Sequence, residues 1–256
     1  MRQADELRDA FEAYVGSLTF APELGRLEEA LRYSLESGGK RIRPVLCLAV
    51  AEAAGADVER AFPAAAAIEL VHTFSLVHDD LPALDDDPER RGRPSSHVAF
   101  GEGVALLAGD ALLAEAMRLA LSYDDPGLAR ELVDATLGMI GGQHRDITGD
   151  DDDLAELHGL KTGRLFAASV GLGLRAALVP DGDQTPWRVF GGEIGLLFQI
   201  VDDILDGDGL ASRLPADDVR RLADSAADRA REQLDSVSGD TSVLRGLVDA
   251  VAFRTV

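Results

Sequence analysis

The chain of 256 residues contains one cysteine, Cys47, set in an apolar run. No disulfide can close within it, and a lone thiol in such surroundings argues against a cysteine nucleophile. Lysine is nearly missing: of 25 basic residues only Lys40 and Lys161 are not arginine. Positive charge itself is scarce. Asp and Glu number 46, so the net charge is −21, and the basic patches that nucleic acid or an anionic membrane requires are not expected. No apolar stretch reaches the roughly 18 uninterrupted residues of a membrane span. The nearest, "LFAASVGLGLRAALV" at 165–179, is interrupted by Arg175. The N-terminus, "MRQADELRDAFEAYV", is acidic and amphipathic and does not read as a signal peptide. A cytoplasmic protein without stable membrane insertion is expected.

Strand signals are also lacking, because no apolar/polar alternation is sustained between hairpin dipeptides. Aromatics amount to only 5%, while Ala and Leu, strong helix formers, dominate. Helical periodicity predicts helices near 3–15, 23–37, 42–54, 60–80, 102–122, 126–148, 152–158, 162–178, 185–206, 215–235 and 240–253. The breaks, such as "SGGKRIRP", "SYDDPG", "TGDDDD", "VPDGDQTP" and "DGDGLASRLP", are rich in Gly, Pro, Asp or Ser. No linker is long enough to divide the chain. The expectation is a single all-α domain over 1–256, a bundle of ten or more helices. The helices near 60–80 and 185–206 are apolar on most faces and are expected at its centre.

Two acidic clusters end those two helices. In "LVHDDLPALDDDPERRGRP" (76–94), Asp79 and Asp80 close a helix and Asp85, Asp86 and Asp87 follow. In "GLLFQIVDDILD", Asp202 and Asp206 are four apart and share a helix face, with Asp203 to one side. A solvated helix end would explain either run, and "TGDDDD" at 148–153 reads as a solvated loop. For the second cluster the apolar neighbours favour an inward face, where acids are costly to bury without a cation. Carboxylates without adjacent His or Cys suit a hard cation such as Mg²⁺, which takes further ligands from water and substrate phosphates.

Basic residues supply a complement. Arg90 and Arg91 follow the first cluster; a guanidinium fork suits phosphate oxygens, and pairing with the neighbouring acids is the alternative. The two lysines lie in "SGGKRIRP" and "GLKTGRL", both glycine-bearing starts of apolar helices, where backbone N–H groups and an ammonium can hold phosphate. His72 lies on the helix of Asp79, either as a diphosphate contact or as a satisfied core residue. His78 adjoins Asp79. Gln143, Asp146 and Gln199 are polar groups on apolar helices, either supporting the site or simply buried and satisfied.

With these pieces in order, "GGKRIRP", "HTFSLVHDDLPALDDDPERRGRPSSH", "LAGDALL", "GGQHRDI", "KTGRLF" and "GLLFQIVDDILD", the chain resembles the trans-isoprenyl diphosphate synthases, or polyprenyl synthetases, over about 35–206. The resemblance implies helices around a deep central cavity, usually in a homodimer. It implies that Asp79, Asp80, Asp85, Asp202, Asp203 and Asp206 bind three Mg²⁺ ions, with Mn²⁺ as an alternative. Arg90, Lys161, Thr162 and Gln199 match positions that bind the allylic diphosphate (dimethylallyl or geranyl). Lys40, Arg43, His72 and Arg91 match those that bind isopentenyl diphosphate. Phe74 and Ser75, five and four residues before Asp79, match the chain-length positions. Phe74 and the four-residue spacing between Asp80 and Asp85 favour farnesyl diphosphate as product, with geranyl and geranylgeranyl diphosphate as alternatives.

The resemblance weakens after residue 206, where the usual Gly- and Lys-bearing loop is shortened to "GDGLASRLP". A non-catalytic subunit of a heteromeric prenyltransferase is therefore a second reading, opposed by the intact acids. A terpene cyclase, the third, would not need Lys40, Arg43 and Arg91.

Overall fold

A computed structural model describes residues 2–149, 163–207 and 209–253. Among these residues are twelve α-helices and one two-stranded antiparallel sheet. The helices are α1 (Ala4–Ser17), α2 (Glu28–Leu35), α3 (Ile42–Ala53), α4 (Phe62–Asp79), α5 (Ser96–Phe100), α6 (Glu102–Ala120), α7 (Pro126–Thr148), α8 (Arg164–Ala176), α9 (Thr185–Asp206), α10 (Gly209–Arg213), α11 (Ala216–Asp235) and α12 (Ser242–Ala252). The all-α expectation holds.

Local chemistry sets the boundaries. Gln3 and Glu6 cap α1 reciprocally, the Gln3 N–H donating to Glu6 Oε2 at 2.7 Å. Asp125 caps α7 by accepting from the Gly127 N–H at 2.8 Å, and Pro126 supplies the first-turn proline. Both α7 and α9 end on a left-handed glycine, Gly149 and Gly207.

The centre differs in part from the expectation. Helix α4 is central, with twelve of its eighteen residues buried. Burial of Ile68, Leu70 and Val71 contributes roughly 1.5–3 kcal/mol per side chain. Its companions in the core are α3 and α8, with nine of twelve and ten of thirteen residues buried. Helix α9 buries only nine of twenty-two and exposes Val189, Leu196 and Leu205. It packs on α8 and α11, and more lightly on α10 and α12, with its exposed residues concentrated in its first three turns. Its apolar content therefore overstates its burial.

Helix α4, counted from the preceding turn at Val58, is also long and apolar enough to cross a membrane by composition, a stretch the sequence reading passed over in favour of 165–179. In this fold 72% of its most apolar window is buried as the core helix of the bundle.

Other differences are small. The helix expected at 23–37 is instead a 3₁₀ segment (Pro22–Leu27), kinked within itself at Gly25 (φ 50°, ψ −126°), followed directly by α2. A hairpin of β1 (Glu89–Arg90) and β2 (Arg93–Pro94), and the five-residue helices α5 and α10, were not expected. Two residues per strand are too few to show alternation. The helix expected at 152–158, the start of that expected at 162–178, and most of the "TGDDDD" loop lie outside the described residues.

Candidate active site

The segment "SGGKRIRP" enters α3 through three positive-φ residues on either side of Lys40: Gly38 and Gly39 before it and Arg41, at φ 48°, after it. A non-glycine residue in that region is strained and needs support. Arg41 is buried and strongly held. Its Nη1 donates to Glu69 Oε1 at 2.6 Å, its Nε to Glu12 Oε1 at 2.7 Å, and its Nη2 to the Leu35 carbonyl. Burial opposes the charge, but Glu69 and Glu12 outweigh it and raise the Arg41 pKa. The loop that carries Lys40 is thus tied to α1, α2 and α4 through one guanidinium.

The first acidic segment folds back on the end of α4. The Asp85 N–H donates to the Asp79 carbonyl at 2.9 Å, bringing the two residues together in the backbone. The hairpin follows, pairing Glu89 with Pro94 and Arg90 with Arg93. Arg91 and Gly92 form its turn with φ of 55° and 75°, the positive pair that a type I′ turn requires. The turn sends neighbouring arginines to different partners. Arg90 Nε donates to Asp80 Oδ1 at 3.0 Å, and Arg90 also pairs with Asp87 at 3.3 Å. The hydrogen bond to Asp80 raises the Arg90 pKa. Arg91 donates instead to the Gly38 carbonyl and lies flat on Gly39, where a Cβ would stand 2.5 Å from its Nη1. Tyr33 anchors the hairpin from α2, its hydroxyl donating to the Pro94 carbonyl at 2.7 Å.

Two cavities adjoin here. One, of about 440 Å³, is lined by Lys40, Arg43, Glu69, His72, Arg91 and Asp202. The other, of about 570 Å³, has Asp79 on its wall and runs between Phe74, Ser75, Leu113, Met139 and Gln143. Arg43 and His72 line both, with Arg43 Nη1 and His72 Nε2 3.5 Å apart. The Arg43 guanidinium lies over the rings of Phe166 and Phe198, 4.6 and 5.6 Å from their centroids. Burial brings its pKa down to about 10, against the pull of Glu69 and Asp202, so it remains charged at neutral pH. Its Nε is buried without a hydrogen-bond partner among the described residues. Burial, then Arg43 and Arg91, hold the His72 pKa well below the usual imidazole value, so His72 is neutral.

The other expected residues divide as follows. Gln199 Nε2 donates to Asp203 Oδ1 at 2.7 Å, and Asp203 Oδ2 accepts from the Leu210 N–H at 2.8 Å, so Asp203 is buried and pins the chain leaving α9. Asp80 is buried against Arg90 in a small hollow beneath the hairpin and lines neither large cavity. Asp85 and Asp206 are exposed and line neither. Among the described residues no three His, Cys, Asp or Glu side chains stand close enough together to hold an ion. Lys161 and Thr162 lie outside the described residues. Gln143 Oε1 is buried and unpartnered among the described residues, and Asp146 is exposed near the end of α7. Cys47 is fully buried, and burial pushes its thiol pKa up, away from nucleophilic use.

Sequence reasoning missed Arg41, Glu69, Phe166 and Phe198. The lone acid in "AAAAIELV" was the available signal for the first pair. Nothing in the sequence marked the two rings.

The chain is similar to known proteins in both sequence and fold. Residues 25–214 match the family described as polyprenyl synthetase. A geranylgeranyl diphosphate synthase of Cyanophora paradoxa is 44% identical over 193 residues, covering 70% of this chain and 64% of that protein. A farnesyl diphosphate synthase of Bacillus subtilis is 41% identical over 203 residues, covering 73% and 69%. The matches thus span about two thirds of these relatives' length. The crystal structure of a geranyltransferase from Legionella pneumophila superposes with a TM-score of 0.88 at 32% identity, covering 98% of this chain and 96% of that one.

Proposed function

The chain belongs to the polyprenyl synthetase family, and we propose that it is a short-chain prenyl diphosphate synthase that joins isopentenyl diphosphate to an allylic diphosphate. The observation that carries this reading is the junction of the two cavities at Arg43 and His72. A pocket rimmed by Lys40, Arg43 and Arg91 suits a diphosphate. The neighbouring pocket, largely apolar with Asp79 on its wall, suits a hydrocarbon tail whose polar end stays at the acids.

In the proposed reaction the allylic C–O bond ionises and diphosphate leaves. The double bond of isopentenyl diphosphate attacks the allylic carbon, and a proton is then lost to the departed diphosphate. Lys40, Arg43 and Arg91 orient the isopentenyl diphosphate, which makes bond formation effectively intramolecular. By resemblance, Arg90, which Asp80 holds, and Gln199, Lys161 and Thr162 bind the allylic diphosphate. Leu113, Met139 and Phe74 keep water from the cation. No protein nucleophile is used, in keeping with the inert Cys47.

The donor set fits Mg²⁺. Asp79 lines the larger cavity and Asp202 the smaller, both offer oxygen donors only, and Mg²⁺ takes its remaining ligands from substrate phosphates and water. We assign Asp79, Asp85, Asp202 and Asp206 to the metal. Asp80 and Asp203 belong to the same set by resemblance, and their partners in this structure are Arg90 and the Gln199–Leu210 pair. A bound Mg²⁺ would neutralise charge on the leaving diphosphate. Three ions complete the proposal.

Phe74 on the cavity wall supports farnesyl diphosphate as product. A homodimer is supported by Val133 and Leu137, exposed four apart on α7. The charge of −21 supports a cytoplasmic setting.

Incubation with Mg²⁺, labelled isopentenyl diphosphate and allylic primers of five, ten and fifteen carbons tests this function. Chelator-sensitive elongation ending at fifteen carbons is expected. A folded protein that binds both diphosphates without turnover would favour the non-catalytic subunit.

A further inference from the structure

Phe74 and His78 are four apart on α4 and share a face. Their ring centroids are 4.9 Å apart with planes at 72°, the edge-to-face arrangement that aromatic rings favour. His78 is in turn fixed from α6. Its Nε2 donates to the Leu106 carbonyl at 3.0 Å, and Asp110 Oδ1 stands 3.8 Å away. Helix α6 reserves the space for this ring: a Cβ at Gly109 would lie 2.1 Å from His78 Nε2. Phe74 and His78 both line the larger cavity.

A phenylalanine within a helix has essentially two χ1 wells, and neighbouring side chains decide between them. Here one neighbour is a ring locked to a different helix. We propose that His78 is a positioning residue for chain length: by holding the Phe74 ring against the cavity, it sets the longest prenyl tail that the protein accepts. This rests on the prenyl diphosphate reading of the site. It assigns His78 a role separate from the acids beside it, exercised through Phe74. Removal of the imidazole leaves Phe74 free to turn toward the vacated space, which deepens the cavity.

Tail acceptance is measurable without turnover. Unreactive thiolodiphosphate analogues with tails of five, ten, fifteen and twenty carbons would be titrated by calorimetry, in the presence of Mg²⁺, into the unmodified protein and into His78→Ala, Phe74→Ala and the double variant. The expected result is that His78→Ala binds the first tail length rejected by the unmodified protein at least about tenfold more tightly. The double variant should accept the same longest tail as Phe74→Ala alone, the non-additivity of a residue that acts through another. His78→Gln, which keeps a donor for Leu106 and much of the bulk, should return most of the original cut-off. An unchanged cut-off in His78→Ala overturns the proposal. So does a double variant that accepts longer tails than Phe74→Ala, because His78 would then be an independent wall. If His78→Ala fails to fold, Gly109→Ala displaces the same ring from α6, and an unmoved cut-off there overturns the proposal equally. An unmodified protein that binds none of the analogues overturns the prenyl diphosphate reading, and this inference with it.

Discussion

Arg43 and His72 meet at 3.5 Å on the wall shared by the two cavities, a charged guanidinium beside a neutral imidazole. The neutrality has a consequence for stability. The His72 pKa is depressed in the fold, first by burial and then by Arg43 and Arg91, so the unfolded chain binds the proton more readily. The contribution of His72 is complete above about pH 6.5, the ordinary imidazole pKa. It is lost as pH falls below that value. Urea midpoints measured from about pH 7 down to about pH 5 should decline, and the His72→Gln variant should decline less steeply. Equal slopes would show that His72 is protonated in the fold.

Asp79 and Asp202 stand on the walls of the two cavities. Replacement of either by Ala should lower turnover at least about 100-fold, because under the proposed function each carboxylate anchors the metal that stabilises the leaving group. The thermal midpoint should hardly move, since neither side chain is part of the apolar core. Near-normal turnover in either variant would remove that residue from the metal site.

Arg41 and Glu69 form a buried pair, with Arg41 at a strained backbone position. Arg41→Ala leaves the Glu69 carboxylate uncompensated and should cost about 3–5 kcal/mol in urea unfolding. Adding Glu69→Gln to that variant should recover part of the loss. A double variant no more stable than Arg41→Ala would mean that the cost lies in the loop and not in the stranded charge.

Phe74→Ala should shift products toward longer chains, read by chromatography of dephosphorylated products. The ring occupies cavity wall, and truncation adds length to the space available to the tail. An unchanged product distribution would place the floor elsewhere, on Leu113 or Met139.

Much of this molecule is legible in its residues. Helix existence followed from composition and period, and α7 and α9 begin and end where Pro and Gly punctuate the sequence. Lys40, Arg43, His72 and Arg91, which the resemblance grouped together, line one cavity; Asp202, which it grouped with the other acids, lines that cavity as well. Periodicity failed where the decisive contacts were long-range. It could not show that the first half of α9 is exposed along one side, that Arg41 is spoken for by Glu12 and Glu69, or that Asp80 and Asp203 are engaged by protein groups. Nor could it reveal the hairpin, whose strands carry two residues each and whose turn depends on an arginine, not on the usual Asn, in a positive-φ position.

That hairpin is also a ruler. Arg90 reaches the acids at the end of α4 while Arg91 rests on the glycines before α3, and the two are peptide neighbours. A single residue inserted between Glu89 and Pro94 would shift the register and reverse which face each arginine presents. Length variation among natural or engineered descendants of this chain should therefore concentrate on either side of 89–94. Within that window only side chains are free to change.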